Sequence, residues 1–111
     1  MKVFISGAYR ADYPSGIFAN IIKARDMAID VWKRGHWAYC PHLNSALMDG
    51  IVPDSQFLAA DIALLGWCDC MLMVPGWEES AGAGDEVAYA KHNNIPVFFS
   101  IESLPPENGT L

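Results

Sequence analysis

Four short apolar runs divide the chain, and each has the length of a strand. They span residues 2–8, 36–42, 70–75 and 96–100, and turn-forming or polar residues follow them. Runs of this length between Gly, Pro and polar positions are typical of β-strands. Because their apolar residues are mostly continuous and do not alternate with polar ones, we expect strands buried on both faces, as in a parallel sheet.

The segments between these runs change to helical spacing. Helices are predicted over residues 17–34 and 83–92, and a further helix begins at a capping Asp54 or Ser55 and runs to about Gly66. The first helix has an apolar face formed by Ile17, Ile21, Ala24, Ala28, Val31 and Trp32. The helix before the third strand has a core stripe formed by Phe57, Leu58, Ile62 and Leu65.

Strands and helices therefore alternate in the order β-α-β-α-β-α-β. This order predicts a three-layer α/β/α fold, flavodoxin-like or Rossmann-like, with a parallel sheet of four or five strands and right-handed crossovers. We expect residues 1–111 to form a single domain and the tail from Glu102 to be frayed. Ligands of such sheets bind at the carboxyl ends of the strands, which here precede the loops 7–16, 41–53 and 75–86.

Composition narrows the possible partners. A chain of 111 residues can bury about two-thirds of its unfolded surface, so it needs no disulfide staples. The net charge of −6, with seven scattered Lys and Arg residues, argues against a nucleic acid polymer as partner. No apolar run is long enough for a signal peptide or a membrane span, and the odd number of cysteines indicates reduced thiols in a cytoplasmic protein.

Glu86 is the first candidate for chemistry. It is expected in the first turn of the last predicted helix, after a turn rich in small residues that includes Ser80, Gly82 and Gly84. Small residues let a ligand approach the backbone, and N–H groups at a helix start suit a phosphate or a sugar oxygen. Glu86 could also simply stabilise the helix dipole, and Ser80 could simply cap the helix.

Asp61 is the second candidate, because it interrupts the apolar stripe of its helix. A carboxyl group in such a place is partly desolvated, which raises its pKa and suits it to donate a proton. The alternative is a structural aspartate that caps a nearby backbone turn.

Residues that follow the first and third strands form a third group. Gly7 and Ala8 end the first strand, and Arg10 could meet a phosphate there or remain solvated. Tyr9 and Trp77 could stack on a base, or they could cover the core.

Other sites fit the residues poorly. The glycine-rich turn lacks the Gly-Lys-Ser/Thr of a P-loop, and the first loop is not the G-x-G-x-x-G of dinucleotide binding. A receiver domain needs acids after the first strand and an aspartate after the third, where this chain has Gly7-Ala8 and Pro75. Cysteines and histidines do not occur at zinc-site spacing, so we expect neither a metal nor a cofactor.

Three segments together resemble a known family. They are residues 4–8 (Phe-Ile-Ser-Gly-Ala), the acid Asp61, and residues 76–90, where the glycine-rich turn leads into Glu86 and a helix of small residues. The pattern resembles the nucleoside 2-deoxyribosyltransferase superfamily over nearly the whole chain, and most closely its small phage and bacterial branch of uncharacterised domains. The superfamily includes deoxynucleoside 5′-monophosphate N-glycosidases.

The resemblance implies cleavage or transfer of an N-glycosidic bond in a nucleoside or nucleoside 5′-monophosphate. By the same resemblance Glu86 is the nucleophile at the anomeric carbon, and Asp61 is the acid that protonates the departing base. Ser80 and Arg10 match positions on the phosphate side of nucleotide hydrolases, which favours a monophosphate substrate. The resemblance also implies a homodimer or a larger homo-oligomer.

The chain departs from the family pattern at two places. Phe4 stands where family members often have a tyrosine in the first strand, and the chain ends soon after its fourth strand. These departures keep a second hypothesis open, namely a nucleotide-binding or sensing module without turnover.

Overall fold

A computed structural model describes residues 1–106 of the chain. In chain order its elements are β1 (Lys2–Ser6), α1 (Pro14–Lys33), β2 (Trp37–Tyr39), α2 (Pro41–Asn44), α3 (Asp54–Leu65), β3 (Cys70–Met73), α4 (Ala81–His92) and β4 (Val97–Phe98). Short 3₁₀ turns lie at Trp77–Glu79 and Ile101–Ser103. Of these helices, none is long and apolar enough to cross a bilayer.

The four described strands form one parallel sheet in the order β2-β1-β3-β4. Val3 of β1 pairs with Ala38 on one side and with Cys70 on the other. The chain moves outward from β1 to β2 and then returns to β3 on the opposite side of β1, so the strand order reverses between β1 and β3. Open α/β sheets bind ligands at such a reversal.

Alternate residues of the central strands face opposite layers. Val3 and Ile5 pack with α1, whereas Phe4 points to the other side, where α3 and α4 lie. Each layer contains a cluster of buried apolar side chains, and the central strands β1 and β3 are buried along nearly their whole length. The predicted three-layer α/β/α fold with a four-stranded parallel sheet is therefore confirmed.

The first helix begins earlier than its apolar spacing predicts. It starts at Pro14, which occupies the first turn, where the missing N–H costs nothing and the fixed φ angle suits a helix. Trp32 was expected on the buried face, but 55% of its surface is exposed. The buried stripe of α1 is formed by Ile21, Ala24, Ala28 and Val31.

Elements near the predicted site also differ from expectation. Strand β2 ends at Tyr39, before the end of the predicted strand 36–42. It ends there because Pro41 starts the short helix α2, where the sequence predicts the end of the strand and a loop. Pro53 precedes α3 as its N-cap and no side chain caps this helix, so the predicted cap at Asp54 or Ser55 is wrong. In the α3 stripe only Leu65 is fully buried. Strand β4 is two residues long, shorter than the predicted run.

The expectation of a frayed tail from Glu102 is wrong for the part that the structure describes. Leu104 is fully buried against α1 and the sheet, and Arg34 Nη1 donates a hydrogen bond to its carbonyl oxygen at 2.9 Å. His36 Nε2 contacts the carbonyl oxygen of Pro105. The expectation also covers residues 107–111, which lie outside the described residues. The three cysteines are free thiols, as predicted.

We predict that Leu104→Ala destabilises the protein, because it leaves a cavity in the layer between α1 and the sheet. The free energy of unfolding should fall by about 3 kcal/mol, measured by urea denaturation. Leu47 offers a matched control because it is 91% exposed. Leu47→Ala should change the free energy of unfolding by less than about 0.5 kcal/mol. Equal effects of both substitutions would contradict the packing of the tail.

Candidate functional site

A cavity of about 730 Å³ opens at the carboxyl ends of β1 and β3. Its size is that of a small-molecule site. The three predicted loops all contribute to its wall, and most predicted site residues line it: Gly7, Ala8, Tyr9, Arg10, Asp61, Ser80, Gly82 and Glu86. Trp77 and Gly84 do not line it.

Glu86 lies deep in this cavity, with 7% of its surface exposed. Helix α4 begins at Ala81, two residues before the predicted start, so Glu86 is in the second turn and not the first. The alternative role at the helix dipole is weakened, because the dipole acts mainly on the first turn. Burial raises the pKa of Glu86 to about 7; a hydrogen bond from Ser6 opposes this rise, and the charges of Asp61 and Asp85 add to it.

Ser6 holds the Glu86 carboxyl group in place. Its Oγ donates a hydrogen bond to Glu86 Oε1 at 2.6 Å, and the residue is 1% exposed at the end of β1. This role of Ser6 is not among those predicted from the sequence. The available signal was a hydroxyl side chain that ends an otherwise apolar strand next to a glycine.

Gly7 allows β1 and β3 to approach each other beside this contact. A Cβ atom at position 7 would lie 2.6 Å from Cβ of Val74, closer than real atoms pack. The glycine is therefore required by the packing of the cavity floor, whether or not it touches a ligand.

Asp61 reaches the same cavity from α3. Its carboxyl group accepts no hydrogen bond within residues 1–106, so the alternative of a structural cap finds no support. Burial raises its pKa to about 6, as the interrupted apolar stripe predicts. The charge of Asp61 is in turn one of the causes that raise the pKa of Glu86, on the neighbouring helix α4.

Tyr39 places a phenol near this pair of acids, from β2. Its hydroxyl is buried and has no hydrogen-bond partner in the described part of the chain. Burial raises its pKa to about 12, and the charge of Asp61 is the next largest cause. The ring of Tyr39 packs against that of Phe4 in β1, with ring centroids 5.7 Å apart. Phe4 is the residue that stands where the resemblance leads one to expect a tyrosine. Tyr39 is not among the residues that the sequence pattern predicts for the site.

Arg10 is bound to two carboxylates at the cavity mouth. Its Nη1 lies 3.0 Å from Asp49 Oδ2, and its Nε lies 3.2 Å from Asp54 Oδ2, while Nη2 contacts the other oxygen of Asp54. The Tyr9 hydroxyl donates to Asp49 Oδ1 at 2.6 Å. Tyr9 and Arg10 thus connect the first loop to the second loop and to the start of α3.

His42 also lines the cavity and anchors the first loop. It is buried, and its Nε2 lies 2.9 Å from the carbonyl oxygen of Ala8. Its ring meets that of Tyr9 edge to face at 5.3 Å. Burial lowers the pKa of His42, which favours the neutral ring.

Within residues 1–106, no group of three or more His, Cys, Asp or Glu side chains could hold a metal ion.

The glycine-rich turn is organised by a helix cap. Ser80 Oγ accepts a hydrogen bond from the Ala83 N–H at 3.1 Å, so the capping role is confirmed, and the side chain also lines the cavity. The ring centroids of Trp77 and Phe99 lie 6.0 Å apart. Trp77 also packs against the apolar cluster between the sheet and α4. Trp77 therefore covers the core beside the turn, outside the cavity wall.

The sheet order and the cavity at its strand ends define the class of the protein. It is an α/β protein with the fold of the 2-deoxyribosyltransferases. A solved 2-deoxyribosyltransferase from the psychrotolerant bacterium Bacillus psychrosaccharolyticus matches it with a TM-score of 0.64, over 87% of this chain and 69% of that chain. The sequences are 15% identical, so this likeness shows the fold alone. That enzyme is described as a biocatalyst for the synthesis of antiviral and antitumoral nucleosides.

The family is established by sequence. Residues 1–99 match the domain of unknown function DUF4406, and the chain belongs to that family. No curated protein matches the sequence significantly. The expected resemblance to the deoxyribosyltransferase superfamily is confirmed at the level of the fold.

We predict that Glu86 makes the stability of the protein depend on pH. The group binds its proton up to about pH 7 in the folded chain, against a reference value of 4.5. Its contribution to stability is therefore present below pH 4.5 and is lost as the pH rises to about 7, by roughly 3 kcal/mol. Urea denaturation from pH 4.5 to 7.5 measures the slope of the free energy of unfolding against pH. Glu86→Gln should remove the part of this slope that Glu86 contributes.

Glu78→Gln supplies the control, because Glu78 is exposed and lies outside the cavity wall. It should keep the wild-type slope. A Glu86→Gln protein with that same slope would show that Glu86 ionises like a solvated glutamate.

Proposed function

We propose that this protein cleaves the N-glycosidic bond of a nucleoside or nucleoside 5′-monophosphate, with Glu86 as the nucleophile. The observation that carries the proposal is a buried carboxyl group, held by Ser6, in a cavity of small-molecule size whose wall also includes the carboxyl group of Asp61. The 2-deoxyribosyltransferase fold supports the same chemistry.

In the first step Glu86 attacks the anomeric carbon of the sugar. Ser6 binds one carboxylate oxygen, which leaves the other to form the new C–O bond. The C–N bond breaks, its electron pair goes to the base, and Asp61 delivers a proton to that base. The ionised Glu86 also stabilises the oxocarbenium-like transition state before the bond closes.

In the second step an acceptor attacks the glycosyl ester. Asp61 is now a carboxylate and takes the proton from the acceptor as the ester bond breaks and Glu86 leaves as a carboxylate. Water as the acceptor gives hydrolysis, and a second base gives transfer. Splitting one difficult displacement into two steps lowers the barrier of each.

Catalysis requires an ionised Glu86 and a protonated Asp61. In the free protein burial raises the pKa of both groups, to about 7 for Glu86 and to about 6 for Asp61, so each can hold a proton near neutral pH. Asp61 is only half-buried, and a base stacked over it would remove water and raise its pKa. Positive charge developing on the sugar would favour the ionised form of Glu86.

Binding without turnover is the second candidate function. The burial of Glu86 favours it, because burial raises the pKa of the carboxyl group to about 7 and a carboxyl group that keeps its proton is a poor nucleophile. A nucleotide-binding or sensing module would use the same cavity.

The test is to incubate the purified protein with a panel of deoxynucleosides and their 5′-monophosphates and to measure free base by chromatography. We expect release of base from at least one member of the panel. Glu86→Gln should abolish it, and Asp61→Asn should slow it by about 10²- to 10⁴-fold. Glu78→Gln is the control and should retain activity.

The opposite result is also clear. If no base is released and binding of a nucleoside or nucleotide survives Glu86→Gln, the protein is a binding module and the enzymatic proposal is wrong.

A further inference from the structure

The fixed charges around the cavity bear on whether the site accepts a sugar with a 5′-hydroxyl group or one with a 5′-phosphate group. Its described lining includes two cations, Arg10 and Lys23, and six acids: Asp49, Asp54, Asp61, Glu79, Asp85 and Glu86. Even with the protons of Asp61 and Glu86 retained, four carboxylates remain against two cations. A phosphate that enters would therefore meet an excess of negative charge.

Arg10, which the sequence suggests as a phosphate-binding group, is already occupied. It gives two donors to Asp54 in a forked arrangement and a third contact to Asp49. Asp49 is fixed in turn by the Tyr9 hydroxyl at 2.6 Å. A 5′-phosphate would have to displace these carboxylates from Arg10 or approach them directly, and charges of like sign repel each other.

The start of α4 offers little compensation. The Ser80 side chain already accepts one of its N–H groups, that of Ala83, and the carboxylates of Glu79 and Asp85 border the cavity beside this turn. Their charges offset the positive end of the helix dipole, which would otherwise attract an anion.

We infer that the cavity selects an uncharged nucleoside over its 5′-monophosphate and that Asp49 and Asp54 impose this selection by neutralising Arg10. The inference rests on the proposed function and narrows its substrate. Sugar hydroxyls can donate hydrogen bonds to a wall rich in carboxylates, whereas an ionised phosphate oxygen has no proton to donate. This reverses the preference for a monophosphate that the resemblance of Arg10 and Ser80 implies.

The test compares thymidine with thymidine 5′-monophosphate, and deoxyadenosine with its monophosphate, by kcat/KM for base release. The wild-type protein should favour the nucleoside of each pair by at least about tenfold, which corresponds to about 1.4 kcal/mol. In the double variant Asp49→Asn/Asp54→Asn, Arg10 keeps hydrogen-bond acceptors and loses the opposing charges. The ratio of monophosphate to nucleoside efficiency should then rise at least about tenfold.

Adding Arg10→Gln to the double variant should lower the ratio of monophosphate to nucleoside efficiency again, because the guanidinium cation freed from its carboxylates is then absent. The double variant Asp26→Asn/Asp30→Asn removes the same charge from exposed positions of α1 away from the cavity wall, so its ratio should stay at the wild-type value. A wild-type preference for monophosphates, or a ratio that does not move in the Asp49/Asp54 variant, would overturn the inference.

A failure of the proposed function can be told apart from a failure of this inference. If no substrate is turned over, the dissociation constants of thymidine and thymidine 5′-monophosphate, measured by calorimetry, test the selection directly. Tighter binding of thymidine would support it without catalysis. Tighter binding of the monophosphate, or binding of neither, would contradict it.

Discussion

The buried hydrogen bond between Ser6 and Glu86 is the contact on which the site depends. A carboxyl group removed from water is costly unless a partner compensates it, and Ser6 is the donor that the fold supplies at 2.6 Å. The contact joins the end of β1 to α4, two elements far apart in sequence. It fixes the direction of the carboxyl group, and burial keeps its pKa near neutrality.

The sheet order explains why this contact can form. Strand β1 lies between β2 and β3, so the end of β1 faces the crevice where the chain reverses direction across the sheet. Gly7 lets β1 and β3 come close there, and Ser6, the residue before it, meets Glu86 from the second turn of α4. Helix α3 brings Asp61 to the same cavity. The reversal of the strand order thus brings together polar groups from β1, α3 and α4, while the Tyr39 hydroxyl of β2 stays outside the cavity wall, near enough for the charge of Asp61 to raise its pKa.

The sequence could predict those parts of the molecule that depend on local pattern. The four strands, the layer arrangement, the loops that line the cavity and the desolvation of Asp61 follow from apolar spacing and from general rules for parallel sheets. Glu86 and most of its predicted neighbours line one cavity as expected. Their catalytic and binding roles remain predictions.

The rest depends on contacts between distant residues, which spacing does not encode. The pairing of Ser6 with Glu86 and of Arg10 with Asp49 and Asp54 requires the register of the sheet and the path of the second loop. The true start of α4 depends on the Ser80 cap, and Trp77 turns toward Phe99 and away from the cavity.

The most direct test of a Glu86 nucleophile is to trap the glycosyl ester. The protein would be incubated with a nucleoside whose sugar carries fluorine at C2, which destabilises the oxocarbenium-like transition state and slows turnover of the ester, and its peptides would be analysed by mass spectrometry. The account predicts a fluorosugar adduct on the peptide that contains Glu86, with fragmentation placing it on that side chain. Release of base with the adduct on another residue would contradict it.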